Sequence, residues 1–145
     1  QALHDLGYFN DEVSGNYLSA TTTAVKRAQK MMNYKIDGSA TYALLERIMD
    51  NSAPTLEECR SYSLLKVGDK SDSVAKLQQR LIELGFFNNY SSSHKGKFTY
   101  ATLEACKEVQ RMRGLNSIDD FASAEFQAYL FSDAAYYHSY SYIEE

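Results

Sequence analysis

The chain repeats itself, and that constrains its fold more than any other feature. Gln1-Ala2-Leu3-His4-Asp5-Leu6-Gly7-Tyr8-Phe9-Asn10 aligns with Gln79-Arg80-Leu81-Ile82-Glu83-Leu84-Gly85-Phe86-Phe87-Asn88. Further on, Gly15, Tyr17, Thr21, Ala24 and Val25 fall on Gly96, Phe98, Thr102, Ala105 and Cys106, once three extra residues around Ser91-Ser92-Ser93 are allowed. Gln29 falls on Gln110, Ile36-Asp37 on Ile118-Asp119, and Thr41 to Leu44 on Ser123 to Phe126. A repeat of this length marks one supersecondary unit used twice. The expected division is a first repeat over 1–50, a linker over 51–63, a second repeat over 64–131 and a Tyr-rich tail over 132–145.

Each copy reads as three short helices, so the expected class is all-α: two tandem three-helix bundles joined by a short linker. In the second copy Val74, Leu77, Leu81 and Leu84 recur on one helical face, behind N-cap candidates between Asp69 and Ser73 and ahead of a terminating Gly85. Thr102, Ala105, Cys106 and Val109 form the inward stripe of the next helix, with Thr21, Ala24, Val25 and Ala28 as their first-copy counterparts. The third helix is one or two turns, from Thr41 to Ile48 and from Ser123 to Leu130. Leu44, Leu45, Ile48, Phe126 and Leu130 are expected to face the core. Period-two alternation is short and strand signals are weak. In the linker, Thr55 and Glu58 have capping-box spacing after Pro54 and predict a short connecting helix. The first copy holds only the end of a leading helix. The linker, the tail or upstream residues must therefore cover its core.

The run Val74-x-x-Leu77-Gln78-x-x-Leu81-x-x-Leu84-Gly85-Phe86, followed by Gly96-x-Phe98-x-x-x-Thr102-x-x-Ala105-Cys106-x-x-Val109-Gln110, resembles the peptidoglycan-binding-domain-like family. Its members are three-helix modules of bacterial cell-wall enzymes, often in tandem. The first copy presents the same motif as Ser14-Gly15-x-Tyr17-Leu18-x-x-Thr21-x-x-Ala24-Val25-x-x-Ala28-Gln29. The chain departs from the family pattern at three places. The family's Asp is Ser14 and Lys95, its second Gly is Leu18 and Thr99, and the Phe before its Gln is Ala28 and Val109. Losing that Phe means other side chains must fill the core.

The resemblance implies a non-catalytic module that binds peptidoglycan, through its glycan or its stem peptide, and anchors a larger wall enzyme or surface protein. That places it outside the cell or in the wall, with further domains expected on the native chain. The alternative is a protein-interaction module that has kept the fold and lost the sugar site.

Sugar rings are held by exposed aromatics and by short polar side chains around them. The chain has 12 Tyr, 7 Phe and no Trp. The candidate ligand-binding residues are Tyr90, Tyr100, Asn88, Asn89, Ser91 and Phe98 in the second copy, with Tyr17 and Asn10 in the first. Tyr17 and Phe98 share one motif position, which suits core packing as well as it suits a ligand. Tyr90 and Tyr100 have no aromatic mate in the first copy.

Other classes of function find little support. The chain carries 15 Lys+Arg against 19 Asp+Glu, a net charge of −4, which suits neither nucleic acid nor an anionic membrane surface. No apolar run approaches the ~20 residues of a membrane helix. The two repeats are individually near neutral, which favours an uncharged or mixed-charge ligand over a polyanion. His4, His94 and His138 lack metal-ligand spacing and read as surface residues. No nucleophile elbow or phosphate loop occurs, so no catalytic residue, cofactor or metal is expected. Asp37 and Asp119 share a repeat position and read as turn residues. Cys59 and Cys106 are expected to stay reduced, Cys106 in the core and Cys59 the more reactive.

Overall fold

The computed structural model describes residues 6–7, 17–50, 53–87, 92–132 and 135. It is helical. Among the described residues there are six α-helices and one 3-10 turn, and the only β-structure is two isolated bridges, Leu65 with Ala122 and Lys70 with Lys97. The helices are α1 (Tyr17–Met32), α2 (Tyr42–Ile48), α3 (Leu56–Cys59), α4 (Asp72–Glu83), α5 (Tyr100–Arg113) and α6 (Ala124–Leu130), with the 3-10 turn at Ser92–His94. The chain divides into two compact units. One comprises residues 1–63 with 123–129, and the other residues 64–122 with 130–145.

In the first unit, Ala24, Val25 and Ala28 of α1 are buried with Met32, Leu44, Ile48 and Leu56. Where the family pattern has a Phe, Ala28 is small, and Met32 is the bulkiest buried apolar chain of this cluster. Leu6, Met31 and Tyr34 pack against it. The linker contributes directly. Thr55 caps α3 through a complete capping box with Glu58, and the Leu56 N–H donates to Leu6 O at 2.9 Å, which seats Leu56 in the core. Leu45 departs from expectation. It is 38% exposed, because on so short a helix the buried face takes only Leu44, Arg47 and Ile48. A second cluster joins Cys59 to Ala124 and Ala128, with Met31 and Tyr62 packed on it. Cys59 is thus fully buried, like Cys106, which gives it no advantage of access to match the greater reactivity expected of it. No disulfide joins it to Cys106, whose thiol is buried too and pushed up in pKa by loss of solvent.

In the second unit, Val74, Leu77 and Leu81 of α4 and Thr102, Ala105, Cys106 and Val109 of α5 are buried along the predicted stripes. Ser71 caps α4 and Thr99 caps α5, each side chain accepting the backbone N–H three residues on. α4 ends in a Schellman motif: Gly85 N–H donates to Ile82 O and Phe86 N–H to Leu81 O. α1 and α5 end the same way at matching positions. Asn33 N–H donates to Lys30 O and Tyr34 N–H to Gln29 O, while Gly114 N–H donates to Arg111 O and Leu115 N–H to Gln110 O. Both turning residues are left-handed, with φ of 60° at Asn33 and 93° at Gly114.

Candidate functional site

Three buried glutamines, which the sequence analysis did not single out as site-forming, shape the loops of this protein. Gln29 is 2% exposed. Its Oε1 accepts the N–H groups of Asp37 and Gly38, and its Nε2 donates to Asp37 Oδ1 and Ser39 O, all at 2.9–3.0 Å. Gln110, equally buried, accepts Asp119 N–H and donates to Asp119 O. Asp37 and Asp119 are therefore turn residues. In Asp37 the carboxylate also accepts Ser39 N–H, and this bond, then the one from Gln29, holds its pKa below the ordinary value. A Gln at the same place in both repeats, inside an apolar stripe, was the available signal.

Gln78 is the third, and it builds the candidate site. It lies on α4 with no exposure, and its Oε1 accepts Gly96 N–H. Its Nε2 donates to His94 O, Lys97 O and Thr102 Oγ1. The loop leading into α5 is thereby tied from inside. It is tied again from the other side, where Ser71 N–H donates to Gly96 O, Phe98 N–H to Asp69 O and Gly68 N–H to Phe98 O. A loop pinned on both sides presents the residue that follows it in a fixed orientation.

That residue is Tyr100, in the first turn of α5 and 74% exposed, the most exposed large apolar side chain among those described. Phe98, two residues earlier, is 2% exposed and so does not offer its ring to a ligand. Burial also claims Phe86 and Phe87, and His94 is half-buried, its ring 5.7 Å from that of Phe87, where a surface histidine was expected. Tyr17 opens α1, but its side chain lies outside the described residues, as do Asn10, Asn88, Asn89, Tyr90, Ser91 and the tyrosines of the tail. Of the expected site, the structure thus places Tyr100 on the surface and Phe98 in the core.

Elsewhere on the second unit an open groove of about 310 Å³ is lined by Lys76, Gln79, Arg80, Glu83 and Phe131. Arg80 is fixed there by donating to Leu130 O and Ser132 O. In the first unit Tyr42, Leu45 and Met49 share one face of α2 and are 62%, 38% and 70% exposed. Among the described residues no group of three His, Cys, Asp or Glu could hold a metal ion, and no helix is long and apolar enough to cross a membrane.

Residues 1–48 match a family model described as "Putative peptidoglycan binding domain". No curated protein and no solved structure matches the chain. The match covers the first repeat, from the Gly7 turn through the Gln29 knot to Ile48, so this part of the chain is similar to the peptidoglycan-binding-domain family.

Proposed function

We propose that this chain is a non-catalytic wall-binding module that holds a larger enzyme or surface protein against peptidoglycan outside the bacterial cell. The family match of the first repeat supports the ligand class. The observation that carries the reading is Tyr100: a large ring, 74% exposed, set on a loop that buried Gln78 ties at three backbone positions. An exposed aromatic does nothing for the core. On a rigid mount it offers a flat apolar face to a sugar ring at little entropic cost. Asn88, Asn89, Tyr90 and Ser91, which precede the loop in sequence, supply donors and acceptors for the sugar's hydroxyls and for stem-peptide amides. The two copies act as two such modules in tandem.

Retention of the full chain by insoluble purified cell wall tests this. Tyr100→Ala should weaken retention about fivefold or more while the melting temperature stays within a degree or two. Equal retention of wild type and variant would remove Tyr100 from the site. No retention of the wild type would remove peptidoglycan as the ligand.

The second reading, a protein-interaction module, has its own observation in the Tyr42, Leu45 and Met49 face of α2. A soluble protein seldom leaves such a stripe uncovered without a partner. If Tyr42→Ser with Met49→Ser abolishes wall retention and Tyr100→Ala does not, this face is the functional one.

A further inference from the structure

Lys70 and Lys97 stand directly opposite each other across an antiparallel bridge. The hydrogen bonds around them are made by their neighbours: Ser71 N–H to Gly96 O at 3.0 Å and Phe98 N–H to Asp69 O at 2.9 Å. That pattern defines a narrow, non-hydrogen-bonded pair, in which the two side chains leave the same face with Cβ atoms ~4.5–5.5 Å apart. Both lysines are exposed, and neither ammonium has an ion-pair partner among the described residues. Lys66 and Lys95 are exposed on the same two loops. The one acid between Lys66 and Lys70, Asp69, uses its Oδ2 to accept Lys66 N–H.

Like charges placed opposite one another oppose folding. Here the backbone enforces the placement, through the same loop that Gln78 ties down. Two lysines rooted on one face, neither ion-paired among the described residues, can bring their ammonium groups together on one anion. The second repeat as a whole is near neutral, so an extended polyanion would meet acids as often as bases along it. A single carboxylate needs only the pair.

We propose that Lys70 and Lys97 clamp a free carboxylate of the wall's stem peptides, while Tyr100, three residues beyond Lys97, takes the sugar. The proposal rests on the wall-binding reading and adds the charged part of the ligand to it.

The test uses the full chain and insoluble sacculi in three forms: untreated, with their carboxylates amidated, and stripped of phosphate-bearing polymers. Wild-type retention should weaken with added salt and fall about tenfold on amidated sacculi, the effect of two exposed charge contacts. Removal of phosphate polymers should leave it unchanged. The double variant K70Q/K97Q should bind untreated sacculi about as weakly as wild type binds amidated ones, and should ignore amidation. K97E supplies the folding control. It should melt at the same temperature or higher, because it replaces a repulsive pair with an attractive one, yet bind worst of all. Undiminished binding by K70Q/K97Q overturns the clamp. So does a wild type that responds to phosphate removal and not to amidation. A wild type retained equally by all three forms overturns the clamp and leaves the wall-binding reading intact. A wild type retained by none overturns both.

Discussion

Gln78 Nε2 lies 3.1 Å from Thr102 Oγ1 inside the second unit, and the same nitrogen donates to His94 O and Lys97 O at 2.8 Å each. Three acceptors share two N–H bonds, and Gly96 N–H occupies the carbonyl end of the amide. One side chain thus joins α4, the loop before α5 and α5 itself. Gln78→Leu keeps the volume and strands those backbone groups, so it should cost about 2 kcal/mol or more by urea unfolding. Gln78→Glu adds a pH signature. A carboxylate cannot donate to His94 O and Lys97 O, whereas a protonated carboxyl can donate once. Burial raises its folded pKa above the unfolded value, so stability is present at low pH and lost as pH rises through the folded pKa. The variant's melting temperature relative to wild type should therefore improve from pH 7 to pH 4.

The end of α1 offers a test of backbone strain. Asn33 holds a φ of 60°, where its counterpart Gly114 holds 93°. Asparagine tolerates this conformation and glycine adopts it freely. Asn33→Gly should stabilise the protein by up to about 1 kcal/mol, and Asn33→Ala should destabilise it by about as much. Gly114→Ala should also destabilise, through backbone strain alone, because an added Cβ would meet nothing within 4 Å. Equilibrium denaturation of the three variants decides the matter. Equal stabilities would mean that these turns relax at no cost.

Asp37 carries a pH dependence of its own. Its carboxylate accepts Ser39 N–H and Gln29 Nε2–H, which lowers its folded pKa from 3.8. A depressed folded pKa contributes stability above the unfolded value, and that contribution is lost as pH falls through the folded one. The loss should therefore begin near pH 4 and continue below it. Asp37→Asn retains an oxygen acceptor for both bonds and cannot titrate. Its melting temperature should fall less than that of wild type between pH 5 and pH 3. Parallel curves would show that other carboxylates govern acid unfolding.

The first helix of the second repeat was legible because three independent signals agreed on it. The stripe Val74, Leu77, Leu81, the cap at Ser71 and the stop at Gly85 all describe one element, and all are realised. Leu45 was misread because a seven-residue helix has too few turns to say how wide its buried face is. The burial of Cys59 was not foreseen because what it packs with, Ala124 and Ala128, lies far along the chain, and linker composition carries no trace of that. Tyr100 could be picked out, since a lone aromatic in a first helical turn has no core to serve. The lysine pair could not. The opposition of Lys70 and Lys97 exists only through the bridge between two loops that are distant in sequence.

The last prediction sets two matched threonines against each other. Thr21 and Thr102 occupy one repeat position, early in α1 and α5. Thr102 Oγ1 receives Gln78 Nε2–H and lies 3.2 Å from Thr99 Oγ1, so its hydroxyl is paired inside the core. Thr21 Oγ1 is also buried but has no hydrogen-bond partner among the described residues. A buried hydroxyl without a partner loses its water and gains nothing in return. Valine has the same shape and no hydroxyl. Thr102→Val should cost about 1 kcal/mol, since it removes the hydroxyl's bonds to Gln78 Nε2 and Thr99 Oγ1. Thr21→Val should be neutral or stabilising by up to about 1 kcal/mol, since it removes an unpaired group. Urea unfolding of both variants measures the difference. If Thr21→Val destabilises as much as Thr102→Val, then the Thr21 hydroxyl has a partner in solution, and the two positions are satisfied alike.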